Sequence, residues 1–421
     1  MHVGLLVVSA IVLAVGGAEV VCPHGSWAVV ETLPPDLKLE PVGPSTYAAF
    51  MGALKRVNSS VNIAALEVAL TPPEYAAGYP DAWHGAELNA TLLQAVHRGV
   101  RVGVITNDCT LPNHIFPCGP VLAWKEQGVD ATLADWPHLV GSWGVQHAKI
   151  FTVDGAAGYS GSANLAWSSF SQTKEAGIMF SDCPAVVNIY DRLVGMWEMA
   201  GAANAIPSEW PSDLRPLYSA ASPLRVVMGG QNQGKEPETL TIAPCYSPPQ
   251  FKVGGDDCGH TLPIVIDSAV KTVQITLMDY SPASLYDKYG VPPTYWNDLD
   301  AALRRAAFRG VQVEVLVSKW EMTFPLEVPY WASLNALANV TVREFVMPAT
   351  PNYREGGRVD HCKYMVVDGT IAQMMTSNWS PDYYLYFGGI GLTIRGGTVA
   401  QTLQATFVRD WESQYAHGVS V

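Results

Sequence analysis

His147-Ala-Lys149-Ile-Phe-Thr-Val-Asp154 and His361-Cys-Lys363-Tyr-Met-Val-Val-Asp368 are two copies of one eight-residue pattern, H-x-K-x4-D, in a single chain. Each is followed, after six residues, by a short polar run: Gly161-Ser162-Ala163-Asn164 in the first copy, Met375-Thr376-Ser377-Asn378 in the second. The apolar residues after each lysine read as a strand. On a strand, residues two apart share a face, so each histidine aims into the same pocket as its lysine. A lone histidine on a strand is usually a core residue with its polar atoms satisfied. Two copies, equivalently placed and equally trailed by asparagine, point instead to chemistry.

Working outward, other stretches repeat as well. Val61-Asn62-Ile63 matches Val273-Gln274-Ile275, Arg98-Gly99-Val100 matches Arg309-Gly310-Val311, and His147 matches His361, at separations of 211–214 residues. A spacing so constant, half the chain length, marks an internal duplication. Helices are expected over 45–57, 86–98 and 185–200 in the first half, and over 295–309 and 399–412 in the second. Gly99 and Gly310 sit where a helix ends, and the β-branched runs after them read as buried strands of a mixed sheet. The fold class is therefore α/β, with two β-sheet halves flanked by helices and related by a pseudo-twofold. The Pro- and Ser-rich stretch 206–223 is the expected linker, which divides the chain into 19–215 and 216–421. The stretch 230–262, with Gly229-Gly230, Pro248-Pro249 and Gly254-Gly255, reads as a loop insertion.

With 48% hydrophobic and 15% charged residues, a chain of 421 residues buries a sizeable core and is not disordered. The net charge of -13 excludes a broad basic coat for nucleic acid, so any phosphate must be gripped locally. Residues 1–18 read as a signal peptide cleaved after Ala18, with a retained signal anchor as the alternative. Seven cysteines and sequons at Asn58, Asn89 and Asn339 fit an oxidising secretory route. Asn378 also heads a sequon but lies inside a motif, so it is expected to be bare. Cys109 pairs with Cys118 and Cys245 with Cys258 by nearness, Cys22 joins Cys183, and Cys362 is left free. No histidine or cysteine spacing suits a metal, so neither metal nor cofactor is expected.

The paired motifs resemble those of the phospholipase D superfamily, whose halves each carry H-x-K-x4-D-x6-G-S-x-N. The resemblance implies a phosphodiesterase in which one imidazole attacks phosphorus and the other protonates the leaving oxygen and then activates water. Lys149, Lys363, Asn164 and Asn378 would bind the non-bridging oxygens, with Ser162 and Ser377 beside them and Asp154 and Asp368 as structural supports at the pseudo-twofold interface. Glu175 stands eleven residues after Asn164, where the superfamily often places a carboxylate that holds the histidine, and the matching residue in the second half is Gly389. On that asymmetry His147 is expected to be the nucleophile and His361 the acid and base.

Lys174-Glu175, Thr376-Ser-Asn-Trp-Ser380, Leu303-Arg-Arg-Ala306 and Phe407-Val-Arg-Asp-Trp-Glu-Ser413 are similar to the phospholipase D-like 5′ exonucleases of mammalian endolysosomes. That likeness implies a single-stranded nucleic acid substrate, an endolysosomal or extracellular location and a homodimer; a phospholipid substrate is the alternative. Trp143, Tyr383, Tyr384 and Phe387 are expected to stack unpaired bases, and Trp167 and Trp379 to pack in the core. The chain departs from the pattern at Met375, which replaces Gly, at Cys362, and at Tyr386, where that group has Glu.

Overall fold

The computed structural model describes residues 19–76, 78–112, 114–229, 236–349 and 357–419. The signal segment expected at 1–18 lies outside them. Two sheets carry the duplication. The first runs in the order Ser26–Thr32, Glu175–Ser181, Ala157–Gly161, Ile150–Val153, Ser60–Ala64, Arg101–Asn107 and Asp130–Ala134. The second repeats that order as Glu238–Ser247, Gly389–Arg395, Ile371–Met375, Tyr364–Val367, Thr272–Leu277, Gln312–Ser318 and Val340–Phe345. Its edges are extended by Leu224–Met228 and Val20–Cys22 on one side and Ala416–Gly418 on the other.

Helix Trp83–His97 ends before Gly99 and helix Asp298–Phe308 before Gly310, and both glycines have positive φ, near 90°, a conformation costly for a side chain. The strands that follow, Arg101–Asn107 and Gln312–Ser318, lie between parallel neighbours and are buried almost throughout. Helices Pro184–Ala203 and Val399–Trp411 occupy equivalent places in the two halves. Their apolar faces meet in one core cluster that spans both halves, including Trp136, Phe180, Trp197, Tyr364, Leu392 and Phe407.

The stretch 230–262 is not a loop insertion. Its residues from 236 onward hold strand Glu238–Ser247, which is hydrogen-bonded on both sides, strand Asp256–Asp257 and the start of helix Cys258–Asp267. The Gly-Gly and Pro-Pro pairs punctuate these elements instead of replacing them, and buried Leu240 and Ile242 supply the alternation between them. The helix expected over 295–309 starts only at Asp298, because Tyr295 and Trp296 are held in extended pairing with Ala283 and Pro282.

The three disulfides are Cys22–Cys183, Cys109–Cys118 and Cys245–Cys258, and Cys362 is free and buried. The first ties strand Val20–Cys22, which pairs with Leu224–Met228, back to the helix of the opposite half. The two halves are therefore interlocked and not joined by a linker alone. Among the described residues, no helix is long and apolar enough to cross a membrane. Of the sequons, Asn58 and Asn339 are exposed, Asn89 is half-buried with Oδ1 accepting from Trp124, and Asn378 is fully buried.

Candidate active site

The two motif strands begin where the halves touch. Each histidine backbone is clasped by the opposite half: His147 N–H donates to Gly388 O at 2.9 Å, and His361 N–H donates to Lys174 O at 2.8 Å. The returning bonds, Gly388 N–H to Val145 O and Lys174 N–H to Val359 O, close both clasps. These reciprocal bonds put both imidazoles on one cleft of about 310 Å³, lined also by Glu67, Asn164, Glu175, Trp143, Tyr286, Tyr383 and Phe387.

Charge in this cleft is dominated by cations out of water. Lys149 Nζ lies 3.1 Å from His147 Nε2 and donates to His147 O, and Lys363 Nζ donates to His361 O at 2.6 Å. Burial and the opposing Lys363 push the Lys149 pKa well down; burial brings Lys363 to about 8, although Glu175 and Asp279 oppose it. Burial, the two lysines and His361 also hold His147 well below the usual imidazole range. A phosphate oxygen bound here would favour the charged form of both lysines.

Glu175 is the carboxylate that answers them, and it belongs to His361. His361 Nδ1–H donates to Glu175 Oε2 at 2.9 Å, across 186 residues of sequence. The expectation that Glu175 holds His147 is overturned, because strand Glu175–Ser181 ends at the interface and delivers its first side chain to the other half. Burial pushes Glu175 up, but the charge and hydrogen bond of His361, with Lys363 and the Ser162 hydroxyl, leave its pKa lowered. His361 is itself lowered by burial and by the lysines against the upward pull of Glu175. It is thus neutral with its proton on Nδ1, and the Nε2 lone pair is free. No carboxylate reaches His147 from position 389: a Cβ there would lie 2.4 Å from Ser377 Oγ.

Three further placements differ from expectation. Asp154 and Asp368 are structural, but at the far, half-exposed ends of the motif strands and not at the interface. Asp154 accepts from the backbone of Asn58, Ser59 and Ser60 and from the Ser59 hydroxyl, and Asp368 from the backbone of Val270, Lys271 and Thr272. Ser162 brackets Ala176 with two bonds, and its counterpart is Thr376, which brackets Ile390 in the same way, rather than Ser377. Tyr384 faces the core against Trp296 and is absent from the cleft, as are Trp167 and Trp379, whereas Trp143, Tyr383 and Phe387 line it. Met375 is buried beneath Trp379, whose Nε1–H donates to its sulphur. Tyr386 offers its backbone oxygen to Trp136 Nε1–H.

Sequence reasoning missed Asp279 and Glu67. They occupy the same place in the two halves, six residues beyond Val273 and Val61, and superposing the repeats would have paired them. Asp279 is fully buried and accepts from Asn378 Nδ2–H at 2.6 Å.

Two imidazoles facing one cleft, each with a lysine and an asparagine from its own half, define a phosphodiesterase built by duplication. Residues 39–350 match the family model described as "PLD3/4, PLD-like domain". The chain is 34% identical to Phospholipase D Z of Dictyostelium discoideum over 409 residues, covering 95% of this chain and 92% of that protein. It is 31% identical to the 5'-3' exonuclease PLD3 of Xenopus laevis over 410 residues, covering 93% and 80%. Among solved structures, the phosphatidylserine synthase of Haemophilus influenzae shares the fold, with a TM-score of 0.56 over 88% of this chain and 85% of that one at 12% identity. The chain belongs to the phospholipase D superfamily, in its PLD3/4-like group.

Replacing Glu175 by glutamine is expected to lower kcat about a hundredfold while leaving KM near its original value. The acid limb of the kcat/KM profile, where His361 takes up a proton, moves to lower pH, because the group that raises the His361 pKa has lost its charge. An acid limb left in place would mean that Glu175 acts on something other than His361.

Proposed function

We propose that this enzyme cleaves phosphodiesters through a phosphohistidine on His361 and that its substrate is the 5′ end of single-stranded nucleic acid. The observation that carries the assignment is the Glu175–His361 hydrogen bond, which leaves Nε2 of His361 as the free nucleophile. Nε2 attacks phosphorus and the bond to the leaving oxygen breaks, with His147, which takes up a proton once the bound phosphate offsets the charge of the two lysines, passing that proton to the leaving oxygen. His147 then takes a proton from water, whose oxygen attacks phosphorus as the N–P bond breaks. Lys149, Lys363, Asn164 and Asn378 balance the charge on the non-bridging oxygens. The nucleic acid reading draws on the PLD3 relatives and on the aromatic wall of Trp143, Tyr286 and Phe387 along the cleft. Acidic surroundings suit it, since every histidine that takes up a proton makes the net charge of -13 less negative and weakens repulsion of polyphosphate. An endolysosomal or extracellular home fits that chemistry and the three disulfides.

A phospholipid substrate is the second reading, favoured by the Dictyostelium relative and by two apolar side chains at the cleft, Ile115 and Met322, which are 53% and 61% exposed. Purified protein at acid pH is to be given a 5′-labelled single-stranded oligonucleotide and, separately, a labelled phosphatidylglycerol. Nucleotide release from the oligonucleotide is expected. Product from the lipid alone would replace the nuclease reading with the lipid one.

A further inference from the structure

Asn378 is bound in a way that does not suit a phosphate ligand. Its side chain is fully buried, and both Nδ2 hydrogens are taken, by Asp279 Oδ2 at 2.6 Å and by the Tyr383 hydroxyl at 2.9 Å. Oδ1, the end left over, meets no partner among the described residues. Asn164, its counterpart, is half-buried and lines the cleft, and its Oδ1 is also without a partner.

An ionised carboxylate can only accept, so it holds the amide with nitrogen toward Asp279 and oxygen at the unpartnered end. An outward carbonyl oxygen repels the oxygens of an anion. A protonated carboxyl group carries one O–H donor. It can donate to Oδ1, and the amide, turned half a revolution about its last bond, then presents Nδ2 outward as a donor. The Tyr383 hydroxyl, which also meets the Tyr286 hydroxyl, can accept or donate and follows either arrangement.

We propose that Asp279 is a positioning residue for the phosphodiester reaction, which turns the Asn378 amide so that Nδ2 faces the phosphate only while Asp279 is neutral. This rests on the reading of Asn378 as a phosphate ligand. Lys363 faces Asp279 from the motif strand, and Asn378, Asp382 and Tyr383 face it from the segment that follows the second motif. Glu327 faces it from helix Glu327–Asn335, itself opposed by Lys319, and Tyr286 lies on the same side. Burial pushes the Asp279 carboxyl up to about 7; Lys363, Asn378 and Tyr383 pull down, and Asp382 adds to the rise. Burial and Asp279 push Glu327 well above the usual carboxylate range. Asp279 is therefore neutral in acid and ionised above neutrality, so the donor is present at low pH and lost as pH rises through about 7. The ionised fraction goes from about 1% at pH 5 to about 90% at pH 8.

The test uses dimethyl phosphate, a diester whose single charge is constant over this range, titrated by NMR against the full protein and its Asp279→Asn variant from pH 5 to pH 8. The asparagine amide can donate to Oδ1 of Asn378 at every pH. The ratio of variant to original affinity is expected to rise about tenfold across the range, with a midpoint near 7. Affinity curves that run parallel, or a probe that binds neither protein at any pH, would overturn the proposal. A second readout is calorimetry at pH 7.5 in buffers of different ionisation enthalpy, which should show more proton uptake on binding of dimethyl phosphate by the original protein than by the Asp279→Asn variant; equal uptake by the two would also overturn the proposal. Neither measurement depends on the substrate, so an inactive oligonucleotide assay would count against the nuclease reading and leave this one standing.

Discussion

Replacing His361 by asparagine is expected to lower phosphodiester turnover by about six orders of magnitude, the loss seen when a covalent nucleophile is removed and only binding and electrostatics remain. Replacing His147 by asparagine should act differently. With a p-nitrophenyl diester, whose leaving group needs no proton, attack by His361 proceeds, but no base is left to activate water. Phosphoenzyme therefore accumulates in the His147→Asn protein and is absent from the His361→Asn protein. Acid quenching followed by peptide mapping of the labelled enzyme should locate the phosphoryl group on His361. Label on His147 would reverse the assignment and would mean that Glu175 orients the acid and not the nucleophile.

Lys174 is the second place where a large effect is expected. Its ammonium lies 3.1 Å from Asp360 and 2.7 Å from Asp410, and none of the three side chains is more than 1% exposed. Burial alone would lower the Lys174 pKa, but Asp360, Asp410 and Cys362 raise it well above its ordinary value, so the lysine is charged. Arg409 bridges Asp410 to Glu31 and carries the network on to the opposite half. Lys174→Met removes the cation shared by the buried carboxylates of Asp360 and Asp410, a change expected to cost about 3–5 kcal/mol in urea unfolding. Adding Asp360→Asn and Asp410→Asn should recover part of that loss, because most of it is the penalty of stranded charge. A single variant that loses less than about 1 kcal/mol would show that water reaches the network. Turnover should suffer as well: the Lys174 carbonyl accepts from His361 N–H, and the next residue holds its ring.

Local rules made much of this molecule legible. The alternation of a strand puts His147 with Lys149 and His361 with Lys363, whatever surrounds them. The constant spacing of the repeats implies two equivalent sheets, and both follow the same seven-strand order. Cysteines close in sequence pair with each other. Where turn residues crowd around a strand, as they do around Glu238–Ser247, composition misled, because Gly and Pro mark the ends of an element as readily as its absence.

The sequence by itself determined the duplicated α/β architecture and the pairing of a histidine with a lysine in each copy, since these depend on periodicity and spacing, and the resemblance of the two motifs implied the reaction class. Only the tertiary structure decided that Glu175 serves the histidine of the other half, that Asp279 holds Asn378, and that Tyr384 faces inward. Those partnerships cross the pseudo-twofold or link distant strands, and the angle at which two sheets meet is set by the packing of the whole core and written in no short stretch of residues.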